Sequence, residues 1–141
     1  MKLFLTVVVT ISILWTVSAF AQPLVYITNG DSDDVSVISC PSGDVIDTIP
    51  VGDTPFGSAM APSGDLLYVG NIFDNNVSVI ETATNTVVDT ITVGAFPNAV
   101  AVTPDGNFLY VVNAIDGTAS VVDTTTNTVV DTELLGTSPE A

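Results

Sequence analysis

Histidine is missing from this chain, and Lys2 is its one basic residue against 16 Asp and Glu. Without an imidazole, neither a Ser–His–Asp nor a Cys–His nucleophile can be assembled, and zinc or haem ligation by histidine is ruled out. With a single Lys and no Arg there is too little to neutralise a phosphate backbone, so nucleic acid is excluded as a partner, and anionic membrane surfaces are disfavoured. Cys40 is the only cysteine, which forbids an intrachain disulfide. Carboxylate pairs are what remains for catalysis. No feature of the sequence sets two carboxylates on a common pocket, so the chain reads as a non-enzyme.

A long hydrophobic run occurs once, at the N-terminus. Lys2 supplies a minimal positive start, Leu3 to Val17 form an apolar core, and Ala19-Phe20-Ala21 places small residues where a signal peptidase reads. Residues 1–21 are therefore expected to be a signal peptide, cleaved to leave Gln22 at the front of a mature chain, 22–141. An uncleaved anchor is the alternative, since the run nearly reaches the span length of about 20 residues; the A-x-A site and the abrupt change at Pro23 favour cleavage. The expected location is secreted, periplasmic or cell-surface, with no membrane contact after processing.

What the rest of the chain has is repetition. Tyr26, Tyr68 and Tyr110 are spaced 42 residues apart, as are Asn29, Asn71 and Asn113; Ser36, Ser78 and Ser120; Asp47, Asp89 and Asp131; and Gly52, Gly94 and Gly136. Each repeat holds short runs rich in Val, Ile, Thr and Tyr, with no helical period. In the third repeat these runs are Ala99 to Thr103, Phe108 to Asn113, Ala119 to Asp123 and Thr128 to Leu134. The earlier copies are Leu66 to Asn71, Val77 to Glu81 and Thr86 to Val93, then Leu24 to Asn29, Val35 to Ser39 and Asp44 to Val51. Pro104-Asp105-Gly106 and Pro62-Ser63-Gly64 mark tight turns between the first two strands. Gly43, Asn85 and Asn127 exchange at one turn position, which predicts a positive φ there. Pro50, lacking an N–H, points to an edge strand. Cys40 corresponds to Thr82 and Thr124, which marks it as a turn-flanking residue and not a reactive thiol.

This pattern predicts an all-β fold of four-stranded antiparallel propeller blades, one per 42 residues. The blades span 24–52 (partial), 55–94 and 97–136, so the propeller is incomplete, with just under three blades. The chain resembles the YVTN β-propeller repeat proteins, through Tyr26-Ile27-Thr28-Asn29, Tyr68-Val69-Gly70-Asn71, Tyr110-Val111-Val112-Asn113 and the Thr-Asn-Thr-Val-Val-Asp-Thr stretches at 84–90 and 126–132. The resemblance implies a surface-layer-like or adhesion-type extracellular repeat protein, or a propeller related to haem d1 domains. Propellers usually need four or more blades. The expected partners are thus further blades, from a missing C-terminal part or from other copies of the chain.

The loops between the second and third strands carry the candidate sites. Asn29, Asn71, Asp74, Asn113 and Asp116 are read as a ligand-facing set for an extracellular protein or glycan. Asp31, Asp33 and Asp34 offer oxygen ligands for Ca²⁺, the one cofactor considered, although Ser42 stands where an EF-hand needs a bidentate Glu; turn capping is the competing reading. Asn76-Val77-Ser78 fits an N-glycosylation acceptor at Asn76, read as lying on an exposed loop. The three tyrosines are expected in the core between blades, and Asp47, Asp89 and Asp131 on a solvated outer face. Together these readings describe an exported, non-catalytic module for binding or for cell-surface structure and adhesion. The alternative is the N-terminal part of a cofactor-binding propeller enzyme or electron-transfer protein of the haem d1 type.

The formal net charge of −15 at pH 7 leads to a prediction. Folding brings like charges together, and exposed repulsion is screened beyond a Debye length of about 10 Å at 0.1 M salt and about 3 Å at 1 M. The melting temperature is expected to rise with NaCl. Calcium at matched ionic strength adds a further rise only if Asp31, Asp33 and Asp34 form a cation site.

Overall fold

A computed structural model describes residues 23–136 and Pro139; the expected signal peptide, 1–21, lies outside the described residues. Eleven strands follow one another in the order β1 (Leu24–Asn29), β2 (Asp34–Ser39), β3 (Val45–Pro50), β4 (Pro55–Met60), β5 (Leu66–Asn71), β6 (Asn76–Glu81), β7 (Thr86–Thr92), β8 (Pro97–Val102), β9 (Phe108–Asn113), β10 (Thr118–Asp123) and β11 (Thr128–Leu134). They form one three-stranded sheet, β1-β2-β3, and two four-stranded sheets, β4-β5-β6-β7 and β8-β9-β10-β11. All pairings are antiparallel. Among the described residues no helix is long and apolar enough to cross a membrane.

Turn chemistry sets the register. Gly43, Asn85 and Asn127 have φ of 74°, 52° and 52°, the left-handed conformation that their exchange predicts. Gly64 and Gly106, at φ 80° and 76°, close the tight turns before β5 and β9. Pro50 ends β3, which pairs with β2 alone, so its missing N–H faces an open edge. The strand over Ala99 to Thr103 differs slightly from expectation: β8 opens two residues earlier, at Pro97. Proline is tolerated as the first residue of a strand, and the ladder slips between Pro97 and Ala99.

The outer strands share one irregularity. Val37 pairs with Asp47 but Ile38 with Val45, Val79 with Asp89 but Ile80 with Val87, and Val121 with Asp131 but Val122 with Val129. One extra residue, Ile46, Val88 or Val130, bulges out just before each aspartate. Such a bulge twists the strand and re-aims the side chain beside it.

The core lies between the sheets and is one set of residues used twice. Val35, Val37 and Ile49 of the first sheet pack with Leu67, Val69 and Ile80 of the second, flanked by Tyr26. Displaced by one repeat, Tyr68, Val77, Val79 and Ile91 pack with Leu109, Val111 and Val122 of the third sheet. Strand alternation makes this possible: consecutive residues of β5 face opposite neighbours, Leu67 and Val69 toward the first blade and Tyr68 toward the third. The expectation that all three tyrosines sit between blades holds only where a neighbour is present. Tyr68 is 1% exposed, whereas Tyr110, on the open face of the third blade, is 44% exposed.

Tyr68→Ala is therefore expected to lower stability by about 3–5 kcal/mol, the usual cost of deleting a buried aromatic side chain. Tyr110→Ala in the same chain should cost less than about 1 kcal/mol. Urea melts of the two variants, residues at the same repeat position, provide the comparison.

Candidate functional site

Antiparallel order brings the β1–β2, β5–β6 and β9–β10 loops to one end of the blades. The connectors β3–β4 and β7–β8 reach the same end. The polar residues of this face are mostly engaged with one another. Asn29 Nδ2 donates to Asp34 Oδ1 (2.7 Å) and Ser36 Oγ (2.8 Å). Asn71 does the same to Asn76 Oδ1 (2.7 Å) and Ser78 Oγ (2.9 Å). Asn113 does so to Thr118 Oγ1 (3.0 Å) and Ser120 Oγ (2.9 Å). Asn71 and Asn113 are fully buried. All three staple a strand end to the next strand; Asn71 and Asn113 point inward and are not part of a ligand-facing set, whereas Asn29 is only half-buried and lines the cleft on this face.

Asp74 and Asp116 are clasps between blades. Asp74 Oδ2 accepts from the Asp53 N–H (2.9 Å), and Asp116 Oδ2 from the Ala95 N–H (2.7 Å). A second clasp, missed at the level of sequence, lies beside them. Asp33 Oδ1 accepts from the Thr54 N–H (2.9 Å), and Asn75 Oδ1 from the Phe96 N–H (3.0 Å). Thr54 and Phe96 are held there at φ 53° and 63°, a conformation unfavourable for such side chains, which these bonds over-determine.

The aspartates read as a calcium set are thus used separately. Asp33 serves the connector, Asp34 accepts from Asn29, and Asp31 is exposed. Among the described residues no group of three or more Asp, Glu, His or Cys is placed to hold a metal ion. Asn76 also differs from expectation. It opens β6, paired on one side with Asn71 and on the other with Thr92, and its Ser78 is buried. Strand pairing, not an exposed loop, surrounds that acceptor sequence. Cys40 is a free, exposed cysteine whose N–H bonds Pro23 O (3.0 Å), a turn-flanking position as expected.

The loop face also presents large apolar side chains beside its exposed aspartates. Phe56, Phe73 and Ile115 are 63%, 64% and 72% exposed, and Phe73 meets Phe96 edge-to-face at 6.1 Å. A cleft of about 710 Å³ beside Phe56 is lined by Asn29, Asp31, Ser32 and Thr54. The signal for this patch was in the repeat: Asp31, Phe73 and Ile115 occupy one position and disagree, while Asn29, Asn71 and Asn113 two residues before them agree. At the opposite end, hydrogen bonds from the Thr103 hydroxyl and the Asn107 N–H hold the Asp105 carboxyl below the usual carboxylate range. The Thr125 hydroxyl and N–H do the same for Asp123.

Solved structures with this architecture are longer chains that share it over part of their length. Hydrazine synthase of Kuenenia stuttgartiensis is 26% identical, with a TM-score of 0.79 over 82% of this chain and 34% of that one. A functionally unknown protein from Desulfotomaculum acetoxidans DSM 771 is 21% identical, with a TM-score of 0.70 over 77% of this chain and 38% of that one. Dihydro-heme d1 dehydrogenase NirN in complex with DHE is 22% identical, with a TM-score of 0.68 over 78% of this chain and 24% of that one. This chain has the β-propeller fold. No family model and no curated protein matches the chain. It spans well under half the length of each solved structure named here.

The clasp geometry yields a mutational prediction. A Cβ on Gly94 would lie 2.6 Å from the Asn113 amide and 2.8 Å from Asp116 Oδ2, whereas one on Gly30 meets nothing closer than 3.6 Å. Gly94→Ala should cost about 1–3 kcal/mol, since buried Asn113 is pinned and cannot retreat. Gly30→Ala should stay within about 0.5 kcal/mol of the parent. Thermal melts of the two variants distinguish these outcomes.

Proposed function

We propose that this chain is a non-catalytic segment of a larger, exported β-propeller of the YVTN repeat type, acting as blade scaffold and presenting its loop face for binding. The observation that carries the reading is the duplicated interface: the same residues, one repeat apart, bury the first blade on the second and the second on the third. Half of that interface recurs at each end. Val25 and Ile27, the counterparts of Leu67 and Val69, are 40% and 45% exposed on the first blade, and Tyr110 is exposed on the third. Uncovered faces of this kind call for further blades. Exposed Phe73, set edge-to-face on half-buried Phe96, gives the loop face an aromatic surface for an extracellular protein or glycan.

A second reading is favoured by the likeness to hydrazine synthase and to NirN in complex with DHE. The chain would then be the outer part of a cofactor-binding propeller. Lacking histidine, it would contribute wall and loops, and any histidine ligand would come from elsewhere in the protein.

Purification from the exterior fraction of the source cells, with native mass and N-terminal sequencing, tests the proposal. The expected result is a particle with at least four blades and Gln22 as its first residue. A stable monomer of three blades contradicts the proposal, and a Soret band in the same particle favours the second reading.

A further inference from the structure

Each blade junction carries a polar lock at the end opposite the loop face. In all three blades the bulged outer strand fixes an aspartate by its own neighbour. Asp47 Oδ1 accepts from the Thr48 N–H (2.9 Å), Asp89 Oδ1 from Thr90 (2.8 Å) and Asp131 Oδ1 from Thr132 (2.8 Å). The second carboxylate oxygen is thereby aimed at the next blade. Asp47 Oδ2 receives Asn85 Nδ2 (3.0 Å), and Asp89 Oδ2 receives Asn127 Nδ2 (2.8 Å). Asn85 Oδ1 in turn accepts from the Tyr26 hydroxyl (3.0 Å). These aspartates are therefore not a purely solvated face, as the sequence suggested. Asp47 and Asp89 are acceptors for the left-handed asparagine of the following blade.

The two open faces each depart from the internal junctions. On the third blade Tyr110 and Asp131 stand ready, but Glu133 replaces the Ile49 and Ile91 that are 2% and 3% exposed at the internal junctions. Opposite it Ala119 takes the place of Val35 and Val77, which leaves room. On the first blade the asparagine position is Gly43, at φ 74° with open space around it. A second copy of this chain docked head to tail would offer no asparagine to Asp131. It would also cover Glu133 with no cation, since Lys2 is the one basic residue. Covering a carboxylate without a partner is costly.

We propose that the open face of the third blade is the receiving half of this lock. It selects a further blade of the same repeat that carries asparagine at the position of Asn85 and Asn127 and a cationic side chain opposite Glu133, and it rejects a second copy of this chain. The inference rests on the chain being part of a larger propeller. Its test is independent of the native particle, because it restores the internal pattern to the open faces of the chain alone.

The variants are Gly43→Asn, Glu133→Ile and their combination in the full chain, compared by sedimentation equilibrium in 1 M NaCl, where repulsion between the acidic copies is screened. Both sites are exposed, and asparagine is at ease in the left-handed region, so the fold should be retained. The parent should stay the weakest associator, and the double variant should self-associate at least about tenfold more tightly, on the scale of one charge-assisted hydrogen bond. Adding Asp131→Ala should reverse most of that gain. No gain in the double variant, or a gain that survives Asp131→Ala, overturns the proposal. If the double variant does not fold, the internal pair decides. Asp89→Ala, Asn127→Ala and their double variant, taken through thermal melts, should be clearly non-additive, and additive shifts overturn the proposal.

Discussion

Each blade of this chain has apolar side chains on both faces of its sheet and nothing within itself to cover either, so face-to-face burial between neighbours is the constraint the rest of the structure serves. The middle strands show it most directly. Leu67 and Val69 turn to the first blade while Tyr68 turns to the third, and every internal blade must satisfy two partners at once. At about 25 cal/mol per Å² of apolar surface, such faces are the main source of stability. The blades therefore cannot be considered one at a time.

Polar groups take their places from that packing. Once two sheets are in contact, the connector between them runs over the strand ends of the second. The backbone at Gly52 and Gly94 then lies so close to Asn71 and Asn113 that no side chain fits. The buried asparagines staple the strands below, and Asp33, Asp74, Asn75 and Asp116 take up the connector N–H groups above. At the other end, the bulge before Asp47 and Asp89 turns a carboxylate across the junction toward the asparagine of the next turn. The described residues include no Lys, Arg or His, so the blades are joined by carboxylate, amide and carbonyl acceptors on backbone, amide and hydroxyl donors.

This use of the conserved-looking polar repeat has a functional corollary. Positions that agree in all copies, such as Asn29, Asn71 and Asn113, are occupied by structure. Positions that disagree while exposed, such as Asp31, Phe73 and Ile115, are where a blade is free to differ. Departures at the two open faces, Gly43 and Glu133, carry the same kind of information about what lies next to the chain.

The elements and their order are legible in the sequence alone. The 42-residue period, the alternation of Val and Ile with polar residues and the Gly–Asn exchange at one turn are local signals. Strand propensity and left-handed turns depend only on neighbouring residues, so β1, β5, β9 and β11 coincide with their expected ranges. Asn76 was misplaced by the same local logic, since its sequence motif says nothing of the strands on either side. What the repeated side chains do depends on packing between blades. Whether an aspartate is solvated or locked, and whether a tyrosine is core or exposed, depends on a blade about 40 residues away and on whether one is there at all. Tyr68 and Tyr110 are the same residue at the same repeat position; the sheet that packs on one and not the other sets their difference.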